Sequence, residues 1–168
     1  MAKGVLEKAM DHLALRPLST SELRTKLSSS ERYTPEEIEE ALETCRVRGY
    51  LNDSLLAADA AQFLNACGKG RGLIRKKLRS RGIGDEELSE ALEGITPEDE
   101  STAAKIAAAG KLRLLAREKD KRKKREKLFR FLISRVFSPD LVHSTVTELL
   151  AAEEEAESSF DENGGFCL

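Results

Sequence analysis

The residues of this chain whose types and spacing could do chemistry are its clustered bases. From Lys69 to Arg81 there are seven Lys or Arg and no acid. From Lys111 to Arg135 there are twelve bases against three acids, and from Glu148 to the end there are seven acids and no base. The formal net charge of −2 conceals this segregation. Self-solvating helix faces usually alternate the two signs, whereas these cations are grouped within helices, a pattern that suits a polyanion or an acidic partner surface. Within the first cluster, Arg75, Lys76 and Arg79 point away from the apolar seam of Ile74 and Leu78, with Lys69, Arg71 and Arg81 on either side. In the second, Lys123, Lys127 and Arg130 lie opposite Leu128 and Leu132, and their spacing of four and three residues suits a row of phosphates or carboxylates. These nine residues form the candidate binding set.

Other chemistries have less support. GKGRG at 68–72 invites comparison with a phosphate loop, but it lacks the spaced Gly-Lys-Ser/Thr of a nucleotide site and no strand precedes it. A glycine hinge between helices is the better reading, with backbone amides still free to touch a phosphate. His12 and His143 are isolated, without a second ligand at metal spacing. The carboxylates at 36–40, 85–87 and 98–100 fall at helix starts, where capping and the helix dipole account for them. No Ser, Cys or Lys nucleophile has a recognisable base partner. No catalytic residue, cofactor or metal is expected, and the chain is not read as an enzyme.

The elements that carry these residues are all helical by periodicity. Residues 4–15 show helical spacing and stop at Arg16–Pro17. Ser19 or Thr20 caps the next helix, with Leu23 and Leu27 as its seam. Thr34–Pro35–Glu36–Glu37 opens a third, carrying Ile38, Leu42 and Cys45. Residues 54–66 form a fourth, with Leu55, Leu56, Ala60, Phe63 and Leu64 as apolar positions. The stretch at 68–93 reads as helix, turn and helix, with Gly82 as a left-handed stop. Thr96–Pro97 starts an alanine-rich helix to about residue 119, interrupted at Gly110. KDKRKKREK is a helix start or a short linker, 124–135 is helical, and Ser138–Pro139–Asp140 caps a last helix through Leu150. Tyr33 and Tyr50 sit at turns and are expected to plug the core, as are Ile83 and Phe137.

Three cysteines, Cys45, Cys67 and Cys167, form no CxxC pair, and no signal peptide is in view. A reducing cytoplasm is expected, with Cys45 and Cys67 as small core residues. No run approaches the roughly 20 apolar residues that a membrane helix needs.

Self-similarity organises the whole. Leu27, Leu78 and Leu132 correspond, as do Tyr33, Ile83 and Phe137, then Ile38, Leu88 and Val142, then Leu42, Leu92 and Val146. Each matching pair follows one further helix. The sequence therefore predicts an all-α chain of three tandem three-helix repeats, at 4–48, 53–94 and 97–151, stacked as an elongated, curved array. Residues 152–168 are expected to be a disordered acidic tail.

LALRPLSTSELRTKL, RGYLND, GKGRGLIRKKLRSRGI and RVFSPDLV, in that order, resemble the motifs of the bacterial RecX regulatory family over about residues 9–150. The resemblance implies tandem three-helix repeats that bind the groove of the RecA filament on single-stranded DNA. It implies inhibition of ATPase, strand exchange or filament extension, within DNA repair, recombination and the SOS response. On this basis Lys69, Arg71, Arg75, Lys76, Arg79, Arg81, Lys123, Lys127 and Arg130 would contact the filament or DNA. Single- or double-stranded DNA would be a second partner, membrane would not, and the chain would act as a monomer. Two features depart from the family pattern. Val136 stands where the third repeat usually has glycine, and a β-branched residue disfavours a left-handed turn, so another loop shape is expected there. Leu55–Leu56–Ala57 replaces an aromatic before the alanine. Two rivals stay open: a helical repeat protein that grips DNA phosphate without RecA, and a helical scaffold for another acidic partner.

Overall fold

The computed structural model describes residues 4–30 and 32–163, with side chains described as far as Ala156. Among these residues every regular element is an α-helix. In order they are α1 (Val5–Leu15), α2 (Thr20–Ser28), α3 (Pro35–Val47), α4 (Asp53–Ala66), α5 (Arg71–Ser80), α6 (Asp85–Glu93), α7 (Pro97–Leu114), α8 (Lys121–Ser134) and α9 (Pro139–Asn163). The all-α class expected from the periodicity is what the chain adopts.

Short-range chemistry sets most of the helix starts. Ser19, not Thr20, caps α2: its side chain accepts from the Glu22 N–H while the Glu22 carboxylate accepts from the Ser19 N–H. Thr34 with Glu37 and Thr96 with Asp99 make the same reciprocal pair, each followed by a proline in the first turn. Asp120 accepts from the N–H groups of Arg122 and Lys123, so the basic run opens α8 directly. Helix α7 passes through Gly110 without a break and stops at Leu114.

Helices α1, α2 and α3 pack together around Ala9, Leu23, Leu27, Ile38, Leu42 and Cys45. Helices α7, α8 and α9 pack around Leu128, Leu132, Phe137, Val142 and Val146, against four buried alanines of α7. Small residues on α7 let its neighbours approach closely, so the core forms without large side chains on that helix. The chain divides into two compact units. The first runs up to Phe63 and takes in Arg75–Ile95; the second combines Leu64–Ile74 with the residues from Thr96 onward. The divide falls within α4 and again within α5. Sequence similarity and packing therefore partition the middle helices differently.

Five local expectations are corrected. The buried stripe of α4 is Ala57 and Ala61, whereas Leu55 and Phe63 are 58% and 68% exposed. Tyr33 packs against the first core, but Tyr50 is half exposed and plugs nothing. Cys45 is buried, which pushes its thiol pKa up, while Cys67 is exposed. Residues 152–163 continue α9 as helix instead of forming a disordered tail, and 164–168 lie outside the described residues. Countercharge explains this: the Lys124 Nζ donates to both carboxylate oxygens of Glu153 at 2.9 and 3.0 Å, and the Lys121 Nζ donates to Glu154.

The fifth correction concerns the last turn. Val136 does enter the left-handed region, at φ 58°, matching Gly82 at φ 74°. The strain is held by the chain crossing over it. The Gly70 N–H donates to the Arg135 carbonyl at 3.0 Å, and a Cβ on Gly70 would lie 2.4 Å from the Val136 carbonyl oxygen. The backbones can meet only because residue 70 has no side chain.

Two glycine substitutions should therefore act in opposite directions. Gly70→Ala should lower stability by about 1–3 kcal/mol through overpacking. Gly110→Ala, in a helix interior with open space around the new methyl, should raise it by about 0.5–1 kcal/mol. Urea melts followed by circular dichroism measure both.

Candidate interaction surfaces

The basic residues separate into those that hold the fold and those that face outward. Arg81 follows α5, next to the left-handed Gly82, and reaches back to the start of α2. Its Nη2 donates to the Pro17 carbonyl at 3.1 Å and to Glu22 at 2.9 Å, and its Nε donates to Glu22 at 3.2 Å. The Ser19 hydroxyl donates in return to the Arg81 carbonyl. Burial alone would raise the Glu22 carboxyl, but hydrogen bonds from Arg81, the Ser19 N–H and Arg16 outweigh it and hold its pKa at about 2.

Arg135 does the same at the corresponding turn of the second unit. Its Nη1 donates to the carbonyls of Cys67 at 3.2 Å and Gly68 at 2.8 Å, and its own carbonyl receives the Gly70 N–H. The guanidinium also lies 4.6 Å from the Phe131 ring centroid. Arg71 is engaged nearby: its N–H and Nε both meet the Glu100 carboxylate. With the N–H groups of Gly68, Lys69, Gly70 and Arg71 all donating within the protein, the GKGRG segment has little left for a phosphate. Its role is close backbone crossing rather than a cradle.

The remaining members of the candidate set are placed as follows. Ile74 and Leu78 are buried, while Arg75 and Lys76 are exposed and pair with no carboxylate among the described residues. Arg79 donates to Asp85 at the start of α6, which keeps that carboxyl below its usual range. Lys69 is half-buried. On α8, Lys127 binds Glu118, Lys123 stands 3.8 Å from Asp120, and Arg130 stands 3.9 Å from Glu126. The structure thus gathers Arg75, Lys76 and Arg79 on one helix and Lys123, Lys127 and Arg130 on another, and withdraws Arg71 and Arg81 into the fold.

Sequence reasoning missed two surfaces. The first is the outer face of α8, where Arg122, Arg125, Glu126, Phe129 and Arg130 line a shallow depression. The second is a groove of about 530 Å³ in the first unit, lined by Tyr50, Leu55, Leu56 and Phe63 with Arg16 and Asp59 at its edge. The spacing of Leu55, Asp59 and Phe63 along α4 was its only sequence signal. Among the described residues, no three His, Cys, Asp or Glu side chains are arranged to hold a metal ion, and no helix is long and apolar enough to cross a membrane.

Comparison with known proteins adds to this geometry. The pattern of the RecX first three-helix domain matches residues 6–45. A regulatory protein RecX of Chlorobaculum tepidum is 32% identical over 163 residues, covering 94% of this chain and 98% of that protein. One from Deinococcus radiodurans is 30% identical, covering 92% and 74% respectively. One from Limosilactobacillus reuteri is 31% identical over 87% of this chain but only 53% of its own length, so the chain spans about half of that relative. A crystal structure of a regulatory protein RecX superposes with a TM-score of 0.73 at 26% identity, covering 86% of this chain and 70% of the other. RecX from Lactobacillus salivarius shares the fold, with a TM-score of 0.75.

The Glu22–Arg81 contact sets an acid limit on stability. A carboxylate with a depressed pKa contributes fully above its unfolded value and loses that contribution as pH falls through its folded value. Between about pH 4.5 and 2 Glu22, held by Arg81, the Ser19 N–H and Arg16 together, should account for a loss on the order of 3 kcal/mol. Glu22→Gln should remove that part of the pH dependence in urea melts. At neutral pH, Arg81→Ala should destabilise markedly, because it leaves Glu22 without its main partner, whereas Arg75→Ala should leave the midpoint unchanged.

Proposed function

The chain belongs to the RecX family of regulatory proteins, and on that premise we propose that it is a negative regulator of the RecA recombinase. It binds the groove of the RecA filament on DNA and restrains ATP turnover, strand exchange or filament extension. It acts in the cytoplasm, within DNA repair, recombination and the SOS response, and without catalysis of its own. The observation that carries the reading is the outer face of α5. There Arg75 and Lys76 stand exposed and make no direct ion pair among the described residues, beside Arg79, whose pair with Asp85 is itself solvent-exposed. Exposed pairs exchange partners at little cost, so all three cations are available to an acidic or phosphate surface. Lys123 and Arg130 on α8 offer a second contact of the same kind. Several weak contacts carried on one chain reinforce one another, because each binding event raises the effective concentration of the next.

The same unpaired cations favour one alternative, direct binding to DNA phosphate without RecA. The two differ in a measurable way. Phosphate binding releases counterions, so bare-DNA affinity would fall steeply and linearly on a log–log salt plot.

Titrating the protein into a RecA ATPase assay on single-stranded DNA should lower the rate in a saturable manner. Arg75→Glu with Lys76→Glu should weaken inhibition by roughly tenfold or more, as loss of a central charged contact does, with the thermal midpoint unchanged. Unaltered inhibition by the double variant would remove α5 from the contact. Absence of inhibition at several-fold excess over RecA, together with tight, salt-sensitive binding to bare DNA, would favour the alternative.

A further inference from the structure

The outer face of α8 carries a pattern that a phosphate-binding helix does not need. Leu128 and Leu132 are fully buried on one side of this helix. About 100° further round the helix, at the edge of that buried seam, Phe129 and Ile133 stand four residues apart and are 36% and 39% exposed. Positions i and i+4 stack on a helix, so the two make a short continuous apolar seam. Three arginines border it. Among the described residues Arg122 makes no ion pair, Arg125 hydrogen-bonds with the His143 ring at 3.4 Å and makes no ion pair, and Arg130 holds Glu126 at 3.9 Å across solvent. The surface is thus apolar along its centre and positive along its margins.

We infer that this face is a docking site for an acidic amphipathic helix of a protein partner. Such a helix would lay its apolar seam along Phe129 and Ile133 and set flanking carboxylates on Arg122, Arg125 and Arg130. The planar guanidinium matches a carboxylate with two parallel hydrogen bonds, which an ammonium group cannot do. Aromatic and arginine side chains together are the residue types that dominate protein interfaces. Two features disfavour a nucleic-acid strand on the same face. Glu126 stands 61% exposed among the arginines and would oppose a phosphate chain running through them. Ile133 offers a base neither a ring to stack on nor a polar atom to bind. An acidic helix meets these features better, because its discrete carboxylates can be spaced onto the arginines and away from Glu126, as a continuous phosphate chain cannot, while its apolar side chains cover Ile133. The site uses no residue of α5, shares only Arg130 with the α8 contact proposed above, and does not depend on the identity of the filament.

The full chain is tested by fluorescence anisotropy at low salt with a labelled, alanine-based helical peptide. The peptide carries leucines at i, i+4 and i+7, bordered by glutamates. A scrambled peptide of the same composition and an oligothymidylate serve as comparison probes. The expected result is binding of the patterned peptide, clearly weaker binding of the scrambled one, and a fall in affinity with salt. Phe129→Ser and, separately, Arg122→Glu with Arg125→Glu should each reduce patterned-peptide affinity by roughly tenfold or more. If Phe129→Ser fails to melt like the parent, the charge-reversal variant and Ile133→Ser carry the test. No binding of the patterned peptide, or equal binding of the scrambled one, overturns the inference. So does oligothymidylate binding that Phe129→Ser abolishes and that displaces the peptide.

Discussion

An arginine at a turn holds together each compact unit of this protein. A loop about to enter a short helix presents carbonyl groups with no partner of their own. In the first unit these include the Pro17 carbonyl, and in the second those of Cys67 and Gly68. The guanidinium answers them with several donors in one plane, and the arginine's own carbonyl accepts a hydrogen bond from the same loop. Lysine would bring a single point charge to a contact that needs a rigid fork. The left-handed residue that follows, Gly82 in one turn and Val136 in the other, redirects the chain just past the contact. Capping of α2, burial of Glu22 and the close crossing of Gly70 over residue 136 all converge on these two points.

This arrangement alters what the basic composition means. A count of bases between Lys69 and Arg135 suggests one broad positive surface. Arg71, Arg81, Lys124, Lys127 and Arg135 are instead held by Glu100, Glu22, Glu153, Glu118 and backbone carbonyls. The cations left outward include Arg75 and Lys76 on α5, Arg113 near the end of α7, Arg117 and Lys119 just after it, and those along the outer side of α8. The acidic end of α9 belongs to the same balance, since it neutralises the inner edge of α8 and leaves the outer edge positive. What can attract a partner is the remainder after internal pairing, and it is narrower than the sequence implies.

Features governed by near neighbours were legible in the sequence. The Thr34 and Thr96 caps, the Leu27, Leu78 and Leu132 positions and the stop at Gly82 follow from spacing alone, and spacing narrows the α2 cap to Ser19 or Thr20. Features set by distant partners were not. Arg75 and Arg81 are the same residue type a few positions apart, and what separates them is Glu22, 59 residues before Arg81. Val136 adopts a conformation its side chain disfavours because a remote glycine admits the crossing backbone. On α4 the larger apolar side chains look like the core, yet Ala57 and Ala61 are buried while Leu55 and Phe63 are exposed, because packing there rewards close approach over bulk. The helical continuation of α9 depended on countercharges on another helix, which local composition could not supply.

The division of the chain within α4 and α5 bears on how it is made. Each unit draws on sequence from both sides of that divide, so neither corresponds to an uninterrupted stretch. During synthesis the first unit cannot close until Ile95 has emerged, although its first three helices are available far earlier. The second needs Leu64–Ile74 to remain in reach until α7, α8 and α9 exist. The middle helices are thus shared property, and a single cleavage between residues 63 and 75 would break the connectivity of both units at once. Small helical repeats that contact only their neighbours fold and fail one module at a time; interleaving of this kind ties the modules to a common fate.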